Sequence, residues 1–252
     1  MPQASPAARA AAQPSRASTP VATHSPTQSL PEQIAACLAE RITNGAYPPT
    51  QRIMEQAIAA EFEVSRGPVR DALRLLEKDG LVTILPRRGA QVTRLSVDEV
   101  RELFDIRALL NGLRDRQIAE SSERLRILPA LEAEVKKLAR FAREAALGEA
   151  YVDTIARIDQ LLTHAAGSRY LQTIQASLVR QTQRYRLLGL SALKRRRQSA
   201  QNWQNLVQAI RRGDGARAEQ LARQRVNESR DAAIALLAER APPPVRAAAR
   251  KR

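Results

Sequence analysis

Residues 64–82 read Val64-Ser65-Arg66-Gly67-Pro68-Val69-Arg70-Asp71-Ala72-Leu73-Arg74-Leu75-Leu76-Glu77-Lys78-Asp79-Gly80-Leu81-Val82. Val69, Leu73 and Leu76 recur at helical spacing and Asp79-Gly80 stops the pattern, which predicts a helix over 66–79. Ser65 is suited to cap its N-terminus, and Pro68 is tolerated in the first turn. Arg66 and Arg70, four residues apart, share the face that Val69 and Leu73 leave free. Downstream, the β-prone run Leu81–Leu85, then Pro86-Arg87-Arg88-Gly89, then Ala90–Thr93 predict a hairpin over 81–94. Upstream, Ile34, Leu38 and Ile42 predict a helix over 30–44 that stops at Asn44-Gly45. A short helix over 54–61 turns Ile58 and Ala59 inward, and the turn Glu63-Val64-Ser65 separates it from the third.

Helix, helix, short turn, helix and hairpin, in that order, is a winged helix-turn-helix. That motif sets the start of its last helix in the major groove. A guanidinium there can donate bidentately to guanine O6 and N7 or clamp a phosphate. Arg66 and Arg70 stand at that start. Arg87 and Arg88 stand at the hairpin tip, where a wing reaches the minor groove or the backbone.

The charge agrees with a polyanionic partner. The 252 residues hold 41 Lys and Arg against 26 Asp and Glu, a formal +15. Segments 1–29 and 240–252 carry seven of the positive charges and no acid. The +15 less those seven leaves +8 on residues 30–239, so the excess is not confined to the ends. The single cysteine, Cys37, excludes an intramolecular disulfide and a Cys-rich zinc site, and two histidines exclude a His-rich centre. Aromatic content of 3% argues against single-strand binding by base stacking. No apolar run is long enough to span a bilayer, and residues 1–29 lack the apolar core of a secretory signal. A cytoplasmic location is expected. Residues 1–29, rich in Ala, Pro, Ser, Thr and Gln, are expected to be a disordered tail. The basic stretch 240–252 around Pro242-Pro243-Pro244 is expected to be a second.

Residues 95–239 read as all-α. One amphipathic stretch over 98–120 carries Val100, Leu103, Phe104, Arg107, Leu110 and Leu113. Others follow at about 123–146, 149–165, 168–190, 197–212 and 214–238, broken at Gly148, Gly167 and Gly213-Asp214-Gly215. Such helices form an antiparallel bundle able to enclose a ligand. No nucleophile elbow, HExxH, P-loop or dinucleotide turn is present, so no enzyme activity and no cofactor are expected. The chain is thus expected to be mainly α, with an N-terminal winged helix-turn-helix (30–94), a small β-hairpin wing, and a C-terminal all-α bundle (95–239).

The string Ile34…Ile42-x-x-Gly45-x-Tyr47-x-Pro49, Glu55…Ile58-Ala59, the run 64–82 above, and Arg87-Arg88-Gly89-Ala90-x-Val92 resembles the DNA-binding domain of the GntR family of bacterial transcription regulators. Thr50 stands where the family has Gly, and Gln56 where members carry Arg. The resemblance implies DNA contacts from Gln56, Ser65, Arg66, Gly67, Arg70, Arg87, Arg88 and Gly89. It also implies a homodimer on a palindromic operator and, most often, repression.

The second half resembles the helical effector domain called FCD, of the FadR-type branch. The match runs through Ile158-Asp159-Gln160-Leu161-Leu162-Thr163-His164-Ala165-Ala166-Gly167-Ser168, then from Trp203 through Leu206, Ala209, Ile210 and Gly213-Asp214 to Arg225. Many members hold a divalent metal there with one Asp and three His. Those four positions fall on Ile155, Asp159, Trp203 and Arg225, so no metal is expected. His164 lies about 140° round the helix from Asp159 and reads as an ordinary histidine. Asp159, Trp203 and Arg225 are expected to converge, with Asp159 orienting the guanidinium and Trp203 filling the vacated volume. Arg225, aided by Arg107, would then hold the carboxylate of a small organic effector; the alternative is an ion pair in a filled core. A DNA-binding architectural protein without an effector remains the second reading of function.

Overall fold

The computed structural model describes residues 28–240. The tails expected at 1–29 and 240–252 lie outside the described residues, save for their innermost positions. Helices α1 (Leu30–Thr43), α2 (Glu55–Glu61) and α3 (Arg66–Lys78) pack around Ile34, Leu38, Ile42, Ile58, Val69, Leu73 and Leu76, all buried. Strands β1 (Arg52–Ile53), β2 (Val82–Leu85) and β3 (Gly89–Val92) form an antiparallel sheet in the order β1-β3-β2. The hairpin is as the sequence predicts. The third strand, β1, was not expected: two residues show no periodicity, and Arg52 and Ile53 become a strand only by pairing with Gln91 and Ala90.

Three local features fix the wing. Glu77 of α3 accepts the Ile84 N–H at 2.8 Å, tying the wing to the third helix. Thr50, at the position where the resemblance has glycine, keeps the left-handed backbone with φ +68°. That costs a β-branched residue roughly 1–2 kcal/mol, and the Thr50 N–H to Val92 carbonyl bond at 2.9 Å helps hold it. Gly89 has φ +80°, and any Cβ there would collide with the Ile53 carbonyl oxygen. Its role is therefore to let β1 approach β3.

The second half consists of α4 (Val97–Glu120), α5 (Glu123–Phe141), a 3-10 turn at Ala145–Leu147, α6 (Gly148–Ala165), α7 (Arg169–Gly189), α8 (Leu193–Arg212) and α9 (Gly215–Arg240). The expected stretch 123–146 ends early, at Phe141, and Gly148, expected as a break, is the first residue of α6. The bundle core centres on Trp203, Tyr151, Leu131, Leu138, Ile158 and Leu206, all fully buried. Each such side chain contributes about 1.5–3 kcal/mol by leaving water.

Helix α4 keeps most of its expected face: Val100, Phe104 and Arg107 are buried, and Leu103 and Leu110 half-buried. Leu113, the last residue of that stretch, is instead 47% exposed, with Ile106 and Leu109 beside it on the outer face. The inward face carries Arg107, Asn111, Arg114 and Asp115, all buried. Seated along α9, with Gly112 against Glu219 and Arg223, α4 buries these polar residues together with Val100, Phe104, Ala108 and Ile118 and leaves a second apolar stripe outward.

The two halves meet on α7. Arg180 donates to Asp79, which caps the C-terminus of α3, at 2.7 Å. The Tyr185 hydroxyl accepts the Leu95 N–H at 3.1 Å, and Gly80 rests against Gln181.

Candidate functional site

The N-terminus of α3 is solvent-facing. Ser65 occupies the cap position with extended backbone, but its hydroxyl makes no capping bond. The expected cap is thus positional only, and the hydroxyl stays available to a phosphate. The first amides of the helix are likewise without intrahelical partners, and with the helix dipole they favour an anion there. Gly67 meets no steric demand, since a Cβ there would touch only the Ser65 hydroxyl at 4.0 Å. A helix-weakening residue that the free fold does not require keeps this surface clear for close approach of another backbone.

Arg66, Arg87 and Arg88 are exposed, and among the described residues their guanidiniums have no hydrogen-bonding or ionic partner. Arg87 sits at the wing tip with φ +61°. Arg70 differs: its Nε donates to both carboxylate oxygens of Glu55 on α2, at 3.1 and 3.0 Å. The pair holds the guanidinium and raises its pKa through the Glu55 hydrogen bond, while the Nη groups remain free to donate. Gln56 is exposed beside Glu55. Arg52 on β1, exposed and paired across the sheet with Gln91, adds a cation next to the wing. Sequence reasoning missed Arg52 because β1 has no signal of its own, and missed Glu55 because the partner lies on a different helix.

If the wing arginines clamp phosphates, removing both weakens binding to all duplexes alike. We expect Arg87→Ala/Arg88→Ala to flatten the slope of log K against log [salt] by roughly one unit per lost contact. Titrations of operator and scrambled duplexes at four salt concentrations check this; an unchanged slope places the wing off the phosphates.

Inside the bundle, the structure brings Arg107, Asp159, Trp203 and Arg225 together and adds Arg114, Asp115 and Arg186. Asp159 faces four guanidiniums. Its bond to Arg186 is 2.8 Å, while Arg114 lies at 3.6 Å and Arg225 at 3.8 Å. Burial alone would raise the Asp159 carboxyl, but Arg225, Arg114, Arg186 and Arg107 outweigh it and hold it at about 2. Arg225 is therefore not hydrogen-bonded to Asp159 as expected; Arg186 takes that place. Instead, the Arg225 guanidinium stacks on Trp203, 3.7 Å from the ring centroid, a cation–π contact in a dry site. Trp203 fills its volume completely. Arg107 turns to the Thr182 hydroxyl at 2.9 Å, and burial, then Arg186, pull its pKa down to about 9.

The expected ligand residues divide into two layers. Arg107 and Arg225 border only a void of about 10 Å³. In front of them a cleft of about 1020 Å³ opens between α4, α5, α6 and α7. Arg114, Asp159, Arg186, Asn111, Thr163 and Gln175 stand on its walls, and His164 is exposed at its edge. Arg114 pairs with Asp115 at 2.6 Å and donates to Thr163 at 3.1 Å. Thr163 donates to Gln175, and Gln175 to Asn111, each at 2.8 Å. Arg180 lines the same cleft from α7. The four positions that hold a metal in relatives do not fit a cation. Only Asp159 offers an oxygen donor, and guanidiniums surround it. Among the described residues no group of three or more His, Cys, Asp or Glu could hold a metal ion.

With this geometry in place, two family models match the chain. One, described as bacterial regulatory proteins of the gntR family, covers residues 30–92, and the FCD domain covers residues 102–228. The chain belongs to the gntR family of bacterial regulatory proteins. Its family is one of regulators and not of enzymes. An HTH-type transcriptional regulator from the TAR-I region of Agrobacterium vitis is 32% identical over 136 residues, 54% of this chain and 72% of that protein. The gluconate operon transcriptional repressor of Bacillus subtilis is 40% identical over 78 residues, 31% of this chain and 32% of that protein. For another Bacillus subtilis regulator the match spans 46% of its length, so the chain spans about half the length of the curated relatives it matches. The solved structure of E. coli McbR/YncC shares the fold, with a TM-score of 0.65 at 18% identity over 84% of this chain and 99% of that one. No helix among the described residues is long and apolar enough to cross a membrane.

Proposed function

We propose that this gntR-family member is a cytoplasmic DNA-binding repressor. Two copies read a palindromic operator, and a small organic acid in the helical half changes their affinity for it. The observation that carries the reading is the unpartnered surface of Ser65, Arg66, Gly67, Arg87 and Arg88, where a recognition helix and wing meet a duplex. Repression follows the gluconate operon repressor, which matches the DNA-binding half. A second copy is supported by α4, whose outward stripe of Ile106, Leu109 and Leu113 is unusual on a monomer's surface. Helix α7, packed on α4, exposes Tyr170 and Ile174. A two-fold contact between such stripes matches a two-fold operator. The cleft favours this reading over an architectural protein that answers to no effector. Selection of genomic fragments by the purified chain tests it: recovery of a shared inverted repeat supports the proposal, and enrichment without one overturns it.

Signal transfer has a physical route. Arg180 lines the cleft and also holds Asp79 at the end of the recognition helix, so a ligand that draws on Arg180 competes with that link. We expect Asp79→Asn to strengthen ligand binding, because the competing link is gone, and to shrink the ligand-dependent change in operator affinity, normally about 5–150-fold in coupled proteins. Operator titrations with and without ligand check it. An undiminished response places the coupling elsewhere.

A further inference from the structure

The bundle interior is out of charge balance. Arg107, Arg114, Arg186 and Arg225 are each 7% exposed or less, and among the described residues only Asp115 and Asp159 are buried with them as anions. Arg196, also buried, gives its donors to the Glu144 and Ala145 carbonyls and is no part of the count. Four guanidiniums against two carboxylates leave an excess of two positive charges in a medium that penalises even one.

The free hydrogen-bonding capacity is biased the same way. Arg114 Nη2, Arg186 Nε and Asn111 Nδ2 are buried donors without a hydrogen bond, on residues that line the cleft; Arg114 Nη2 has only Asp159 Oδ1 at 3.6 Å. Arg225 Nε and Nη2, behind it, make no hydrogen bond either, and Nη2 meets Asp159 Oδ1 only at ion-pair distance, 3.8 Å. The chain of bonds from Arg114 through Thr163 and Gln175 to Asn111 consumes the acceptors along its way and ends on a free N–H pair. On the acceptor side Asp159 Oδ1 and Asp115 Oδ2 remain open among these cations, and on α9 behind the cleft so do Asn227 Oδ1 and Ser229 Oγ. Buried polar groups left open in this manner mark the place of a missing partner.

We infer that the cleft takes a small organic dianion, a dicarboxylate or a phosphomonoester, whose two negative charges complete the Arg114–Arg186 face and cancel the buried excess. The inference rests on the effector reading above and narrows it from organic acids in general to a charge of two. Planar guanidiniums suit either group, since both accept two parallel N–H bonds. A monoanion leaves one guanidinium uncompensated; the loss of one charge-assisted bond lowers affinity roughly 10–100-fold.

The test is thermal unfolding and calorimetry of the full chain with C3 to C6 straight-chain dicarboxylates, their monoamides, glycerol 3-phosphate and glycerol. A dianion at a hundred times its Kd is expected to raise Tm by about 5–10 °C. Its monoamide is expected to bind at least tenfold more weakly. Which of the two dianion classes acts identifies the head group. A second variant reads the charge balance without any ligand. Asn111→Asp keeps the oxygen that accepts from Gln175 and replaces the unpartnered N–H pair by a negative charge. It is expected to raise the Tm of the ligand-free chain and to weaken dianion binding at least tenfold. A fall in Tm on that substitution overturns the inference. Monoamides that bind as tightly as the diacids overturn it too and leave the effector reading standing; no response to any anion overturns both.

Discussion

Replacing Asp159 by Asn is expected to lower the unfolding free energy by about 3–5 kcal/mol. The substitution is isosteric, so it creates no cavity and isolates the charge. Asp159 is the carboxylate on which Arg186, Arg114 and Arg225 converge, at 2.8, 3.6 and 3.8 Å. Without it Asp115 is the sole buried anion left, among the described residues, against four buried guanidiniums. An arginine cannot escape by losing its proton near neutrality, so the cost falls on the fold. Asp153→Asn, on the exposed side of the same helix, is the control and should stay within about 0.5 kcal/mol. The pH dependence supplies a second reading. The carboxyl sits at about 2 in the fold, against an ordinary 3.8, so it binds protons less readily folded than unfolded. Its contribution is therefore complete above about pH 4 and is lost as pH falls toward 2. Chemical denaturation of both proteins at pH 7 and pH 3 measures this. The gap between them should be full at pH 7 and narrower at pH 3. A difference of less than about 1 kcal/mol at pH 7 would show that the four arginines do not depend on this carboxylate.

The same cluster explains where sequence reasoning stopped. In the winged half, local pattern and tertiary fold agree. Val69, Leu73 and Leu76 sit at helical spacing and are buried, and Gly80 and Gly89 turn the chain where glycine is needed. Every level of the sequence there points to one answer. Helix α4 offers two stripes of the same period. Ile106, Leu109 and Leu113 form one, and Arg107, Asn111, Arg114 and Asp115 belong to the other. The expected stretch follows the buried face through Val100, Phe104 and Arg107 but ends on Leu113 of the exposed stripe, and it leaves out Asn111, Arg114 and Asp115, whose polarity hides that they are buried. A polar residue inside a bundle is legible only through its partner. Arg107 finds Thr182 and Arg186 finds Asp159, from helices remote in sequence. Homology placed Asp159, Trp203 and Arg225 at one point, because relatives bind a metal with those positions. It said nothing of Arg114 and Arg186, which have no counterpart in that ligand set and which face the cleft. The stacking of Arg225 on Trp203, from helices α9 and α8, is likewise set by packing between elements and has no local signal.

Substituting Arg66 and Arg70 together by Ala is expected to cost between about 30-fold and about 10⁴-fold in operator affinity, from 5- to 150-fold for each base-reading arginine. The two residues are on one face of α3, but their free states differ. Arg66 is unengaged, so its whole donor fork is available to guanine or phosphate. Arg70 is steadied by Glu55 through Nε, 57% exposed, with its terminal nitrogens directed by the pair. An exposed pair of this kind contributes little to stability, so the double variant should melt with the parent and its binding defect can be read directly. Glu55→Gln separates orientation from contact. It removes the carboxylate that fixes Arg70 and leaves both arginines in place, so operator preference should relax while affinity for unrelated duplex is retained or rises. The wing is intact in both variants, and the salt slope should therefore fall by no more than the phosphates these two side chains hold. Gel-shift titrations against the operator and a scrambled duplex distinguish the outcomes. A specific complex that weakens toward the non-specific one places the two arginines on base edges; a uniform loss on both duplexes assigns them to the backbone. Unchanged operator binding in the double variant would remove the N-terminus of α3 from the interface, and with it the reading of this helix as the one that enters the groove.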